Sequence, residues 1–154
     1  MGHYSQQGKD YAMDVEIKEN LNQLILDFDG LFQRVANIYL SYQDKKRLEF
    51  PPVTHGRMKE DLMKCWQILL EIAAINHQSD EIFTFNEEQL NREASYSYRD
   101  HVLVFHYHLY SLSYNFENPD SPSYLTTCWM VQVEFLKLAL NCFEFNLIEE
   151  VAHA

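Results

Sequence analysis

The side chains best suited to chemistry at neutral pH crowd into one stretch of the chain. It holds His101, His106 and His108, three of the seven histidines, and imidazole is the group whose ordinary pKa lets it give and take protons near pH 7. On a helix His106 and His108 point to different faces, while His101 and His108 share a face but stand about 10.5 Å apart along the axis. Neither pair can close on one metal ion. Two-metal carboxylate sites need Glu-x-x-His on two helices plus further inward glutamates, and the only such pair here is Glu150 with His153, near the C-terminal end. No metal is therefore expected, and the three histidines read most simply as edge-of-core residues, hydrogen-bonded or solvated. No cofactor is expected either. The glycines are Gly2, Gly8, Gly30 and Gly56, so there is no phosphate-cradling loop, and neither a Gly-x-Ser-x-Gly elbow nor a Cys-His signature is present. Cys65, Cys128 and Cys142 are odd in number, lack Cys-x-x-Cys spacing and fall inside helical patterns, where they read as small buried hydrophobes in a reducing compartment. The acid pairs Glu87–Glu88 and Glu149–Glu150 suit a helix start and a solvated end without any catalytic role.

Those residues must be positioned by helices. Ile17, Leu21, Leu24, Phe28, Leu31, Val35, Ile38 and Tyr42 recur at intervals of four and three, which is one apolar stripe on one long helix. Ile25, Phe32 and Tyr39 widen it toward a globular face, and Gly30 interrupts it at about 1 kcal/mol relative to alanine unless a close neighbour requires the gap. Lys45, Lys46 and Arg47 follow, where positive charge favours a helix C-terminus. Pro51 and Pro52 break the chain, and a second helix is expected through Met58, Leu62, Cys65, Leu69 and Ile72. Asn86 with Gln89 reads as a capping box opening a third helix, which continues through Tyr98, Val102, Phe105, Leu109, Leu112 and Phe116. Paired strands compete for residues 96–116 on aromatic and β-branched content, but strict alternation fails at Val102 to Phe105. Ser121 as N-cap and Pro122 at the first position open a fourth helix through Leu125, Trp129, Leu136, Leu140, Phe143, Leu147 and Val151. The expectation is an all-α four-helix bundle, up-down-up-down, with residues 1–11 as a flexible N-terminus and residues 12–154 as a single domain. A crossing or splayed first helix, reached through the Pro51–Pro52 connector, is the alternative topology.

The bulk composition agrees with one helical domain. The chain has 154 residues, 47% hydrophobic and 23% charged, with ten Phe and ten Tyr, enough for a bulky core or an adhesive face. No apolar run is long enough for a membrane span or a secretory signal, so a cytoplasmic protein without membrane contact is expected. Residues 1–60 hold nine acids and eight bases, −1, whereas residues 61–154 hold fourteen acids and four bases, −10, which together give the net −11. Such a surface repels the phosphates of DNA and favours a partner with a basic surface.

One short run also resembles a known family. Arg99-Asp100-His101-Val102-Leu103-Val104-Phe105-His106 is similar to the Arg-x6-His form of the motif in HEPN-domain proteins. These are small all-α proteins that include metal-independent ribonucleases, toxins of toxin–antitoxin pairs and phage-defence factors. The resemblance implies that Arg99 binds the scissile phosphate of an RNA, that His106 does acid–base work on a 2′-hydroxyl, and that Asp100 orients them. It also implies a homodimer. Arg99 and His106 lie two turns apart on roughly one face, but the arginine leans toward the helix N-terminus and away from the histidine, so a second copy of the helix must supply the missing proximity.

Tyrosines support a different function. Tyr96, Tyr98, Tyr107, Tyr110 and Tyr114 exceed what one core stripe needs, and tyrosine buries area at an interface with little loss of conformational entropy. Tyr96, Tyr107, Tyr110 and Tyr114 are the expected partner-binding residues. The chain is thus expected to be a non-catalytic, acidic, helical protein-interaction module, such as an adaptor, chaperone-like or inhibitory subunit, with self-association as one mode. The metal-independent endoribonuclease built on Arg99, Asp100 and His106 is the alternative.

Overall fold

The computed structural model describes residues 2–44, 51–75, 90, 97–118 and 121–152, with side chains described for 14–43 in the first stretch and for 121–150 in the last. Every regular element among these residues is a helix: α1 (Gly2–Asp44), α2 (Pro52–Ala73), α3 (Tyr98–Tyr114), α4 (Pro122–Asn141) and a short α5 (Leu147–Ala152). The basic run Lys45 to Arg47, the Asn86–Gln89 cap, Glu87–Glu88, Tyr96 and His153 lie outside the described residues.

The long stripe on α1 builds the core as its spacing requires. Leu21, Ile25, Phe28, Phe32 and Val35 are buried, and Ile17, Leu24, Leu31 and Ile38 flank them. Phe28 reaches Phe105 and Phe135 at ring-centroid distances of 5.3 and 5.5 Å, so α1, α3 and α4 meet at one aromatic centre. α2 joins it through Trp66, stacked 6.4 Å from Phe135.

The order of these pairs fixes the directions of the helices. Tyr42 meets Thr54 and Arg34 meets Asp61, so α1 and α2 are antiparallel. Tyr39 meets Tyr98, Phe32 meets Phe105, Asp29 meets Tyr110 and Asn22 meets Ser113, so α1 and α3 are antiparallel as well. Phe105 with Phe135 and Phe116 with Tyr124 make α3 and α4 antiparallel. The Tyr124 hydroxyl donates to the Ile72 carbonyl at 2.9 Å, which sets α4 antiparallel to α2 too. The result is up-down-down-up, and the expected up-down-up-down order is corrected. That order assumed short connectors throughout, whereas α2 and α3 point the same way and residues 74–97 separate them.

Two helix boundaries also differ from expectation. α3 opens at Ser97, whose extended backbone and side-chain oxygen, accepting from the Asp100 N–H at 3.2 Å, form the N-cap; the helix that carries the histidines therefore does not run unbroken from Asn86. α4 begins as expected, with Ser121 accepting from the Tyr124 N–H and Pro122 in the first turn. It stops at Asn141, however. Glu144 adopts a left-handed backbone, φ 62°, and the Phe145 N–H bonds back to the Ala139 carbonyl at 2.9 Å. That turn buries both Phe143 and Phe145 and hands the chain to α5.

Candidate functional site

α3 has two faces of opposite fate. His101, Phe105, Leu109 and Leu112 are buried, one every three or four residues, and Phe105 reaches the aromatic centre. On the opposite side Leu103, Tyr107, Tyr110 and Tyr114 form a second stripe at the same kind of spacing. Leu103 is 62% exposed, Tyr107 71% and Tyr114 86%, far more than one isolated surface hydrophobe requires. Between Arg99 and Asp100 at one end and Glu117 beyond the other, this outward side carries no formal charge. For a chain with 23% charged residues, three turns without one is a marked local departure.

One edge of the outward side is bound to α1 by a polar seam. The Tyr110 hydroxyl donates to Asp29 Oδ2 at 2.6 Å, and the Ser113 hydroxyl donates to Asn22 Oδ1 at 2.5 Å. Burial, then the bond to Asp29 and its charge, push the Tyr110 phenol up to about 12, so the hydroxyl stays a donor throughout the neutral range. Asp29 Oδ1 lies 3.4 Å from His106 Nε2, a contact that is an ion pair only when the ring is protonated. The other nitrogen of that ring, Nδ1, sits 2.9 Å from the Val102 carbonyl oxygen, which accepts from it in the Nδ1–H tautomer. Phe32, Phe105 and Tyr110 pack around the imidazole at 5.2–5.3 Å between centroids. His106 is thus held by its own helix and by α1.

The remaining predicted residues are placed as follows. Arg99 and Asp100 are exposed in the first turn of α3; Asp100 adds its backbone N–H to the Ser97 cap and its carboxylate to the positive end of the helix. Their side chains are not brought against the His106 ring by any contact described above. His101 is fully buried. His108 is half-buried, and its pKa is lowered by burial, partly offset by Glu134 on α4. Among the described residues no group of three or more His, Cys, Asp or Glu is placed to hold a metal, and no described helix is long and apolar enough to cross a membrane. Burial pushes the Cys65 and Cys128 thiols up to about 12 and Cys142 to about 11, so all three stay protonated and unreactive at neutral pH. Glu149 lies in the first turn of α5, and Glu150 pairs with Lys59 at 2.6 Å.

Sequence reasoning missed two participants. Asp29 lies on the flank of α1 that faces α3, and only the antiparallel pairing of these helices shows that it accepts from Tyr110 and lies beside His106. Leu26, 64% exposed and one turn before Asp29 and Gly30, extends the apolar surface onto α1. Leu26 could have been found from its position off the buried α1 stripe. Compared with models of protein families, with curated proteins and with solved structures, the chain matches none of them.

Proposed function

We propose that this chain is a non-catalytic interaction module, a four-helix bundle in up-down-down-up order that presents the outward face of α3 to another protein. The uncharged, exposed run of Leu103, Tyr107, Tyr110 and Tyr114 carries this reading. Tyrosine and leucine at neighbouring outward positions combine apolar area with hydroxyl donors, the composition of an interface centre, while Arg99, Asp100 and Glu117 supply a charged rim. The acidic surplus of residues 61–154 lies mostly off this face and acts at longer range, steering approach rather than forming the contact. The nuclease reading is less well supported, because the His106 ring sits against the Val102 carbonyl through Nδ1 and is packed among Phe32, Phe105 and Tyr110 of its own chain.

The test is site-specific photo-crosslinking in cells, with a benzophenone side chain at position 107 and, as control, at the exposed Gln67 on α2. A discrete protein adduct is expected at 107 and not at 67. Absence of adducts at 107, 110 and 114 overturns the proposal. Metal-free cleavage of single-stranded RNA by the purified chain, abolished by Arg99→Ala and by His106→Ala, replaces it with the nuclease.

A further inference from the structure

We propose that the seam between α1 and α3 is a proton-operated latch: a second proton on the His106 ring, held between Nε2 and Asp29 Oδ1, closes it, and loss of that proton leaves two acceptors facing each other. The inference concerns the seam alone and stands whether or not the outward face of α3 has a partner.

The hydrogen bonds of this corner call for that proton. The Val102 carbonyl can only accept, and it lies 2.9 Å from His106 Nδ1, so Nδ1 carries a hydrogen. A neutral ring has one hydrogen to place, and this contact, shorter than the 3.4 Å from Nε2 to Asp29 Oδ1, takes it. Nε2 then presents a lone pair to a carboxylate. Asp29 Oδ1 is shut off from solvent, and no described residue donates a hydrogen bond to it. Tyr110 cannot do so, because its hydroxyl is committed to Oδ2 at 2.6 Å. An enclosed carboxylate oxygen without a donor is costly, whereas an imidazolium donates from both nitrogens and sets a positive charge beside the negative one.

The surroundings leave the exchange to these two side chains. On α1 Phe32 packs on the ring beside Asp29, and on α3 the titratable neighbour is Tyr110, whose phenol is pushed up to about 12 and keeps its proton. On α2 Cys65 feels the charges of Asp61 and Asp29 but stays protonated, and Asp61 is answered by Arg34 at 3.4 Å. α4 reaches the corner through Phe135, packed on Phe105, while its Glu134 acts on His108. Asp29 also holds Tyr110 with its other oxygen, so the state of the latch bears on how firmly the edge of the outward face is tied to α1.

The bond exists only with the ring charged. The stability it contributes is therefore present at low pH, once Asp29 is ionised, and is lost as pH rises through the imidazole range. His108 acts the other way. Burial lowers its pKa, so on acidification the unfolded chain takes up that proton first and stability falls. The two offset each other in the stability of the whole chain, and a measurement confined to positions 29 and 106 separates them.

The experiment is a double-mutant cycle by urea unfolding, with Asp29→Leu, His106→Phe and the double variant, at about pH 5.5 and about pH 8.5, either side of the ordinary imidazole value. The coupling between the two positions is expected to be about ten-fold in the unfolding equilibrium constant at the lower pH, and to vanish or reverse at the higher. Equal coupling at the two pH values, or stronger coupling at the higher, overturns the inference. In the Asp29→Asn background the pH dependence should reverse, since the amide donates to a bare Nε2 and repels a protonated one; a dependence of unchanged sign counts equally against the latch. The parent chain gives a check that needs no substitution. Its ring-nitrogen NMR spectrum at about pH 8.5 should show His106 with hydrogen on Nδ1 and a bare Nε2. Hydrogen on Nε2 of the neutral ring would satisfy Asp29 without a second proton and overturns the inference.

Discussion

The two faces of α3 are built on the same rule and meet different fates. Inside, Phe105 lies within 5.3–6.1 Å of Phe28, Phe135 and Phe32; outside, Tyr107 at a comparable step of the helix is 71% exposed. Both stripes repeat every three or four residues, so spacing alone says that each could be covered and leaves open by what. Side-chain chemistry separates them. Apart from the fully buried His101, the covered stripe is Phe and Leu, which have no polar end to satisfy, and the open one is mainly Tyr, whose hydroxyl remains wet or finds a bond at the edge, as Tyr110 does with Asp29.

The largest expected effect tests that separation directly. Phe105→Ala removes a ring packed on three others and should lower the unfolding free energy by about 3–5 kcal/mol. Tyr107→Ala, measured where the chain is monomeric, should change it by less than about 0.5 kcal/mol. Urea unfolding of both variants makes the comparison, and similar losses at the two positions would collapse the distinction between the faces.

Alkaline pH sharpens the same contrast. Inside, burial raises the Cys65, Cys128 and Tyr98 groups to about 12 and Tyr39 in the same direction; outside, Tyr110 reaches about 12 with help from Asp29. Each is neutral when protonated and holds its proton longer folded than unfolded. The stability they contribute is thus fully present below the ordinary thiol and phenol values and is lost as pH rises through about 12. Urea midpoints should stay level through neutral pH and fall steadily above about pH 9. Tyr110→Phe should alter that fall less than Cys65→Ala does, because Tyr110 is exposed enough for solvent to screen it. A flat profile to pH 11 contradicts the burial of the inner set.

Much of this arrangement was legible in the residues, for identifiable reasons. The α1 stripe, the Pro51–Pro52 break and the Ser121–Pro122 start are local signals, and the helices that follow obey them. Helix won over strand at residues 98–114 because Val102 to Phe105 lacks alternation. The misses are equally physical. Ser97, three before Asp100, is a cap signal, but the apolar spacing through Tyr98 and Val102 masked it. The end of α4 carries no glycine or proline: Glu144 takes the left-handed turn, and Leu140, Phe143 and Leu147 keep helical spacing across the break. Up-down-down-up order arises from contacts between distant segments, which no local pattern encodes. At the candidate site the tyrosines were visible from composition, but Asp29 was not, since its role exists only where α1 meets α3.

Gly30 supplies the smallest effect and the finest distinction between a covered and an open surface. In an isolated helix the exchange Gly30→Ala should stabilise by up to about 1 kcal/mol, because alanine loses less backbone freedom and, among the described residues, no neighbour obstructs the added methyl. Urea unfolding should show that gain. A loss in place of a gain would mean that position 30 is covered, and that the outward side of α1 beside Leu26 is not the open surface its surroundings make it.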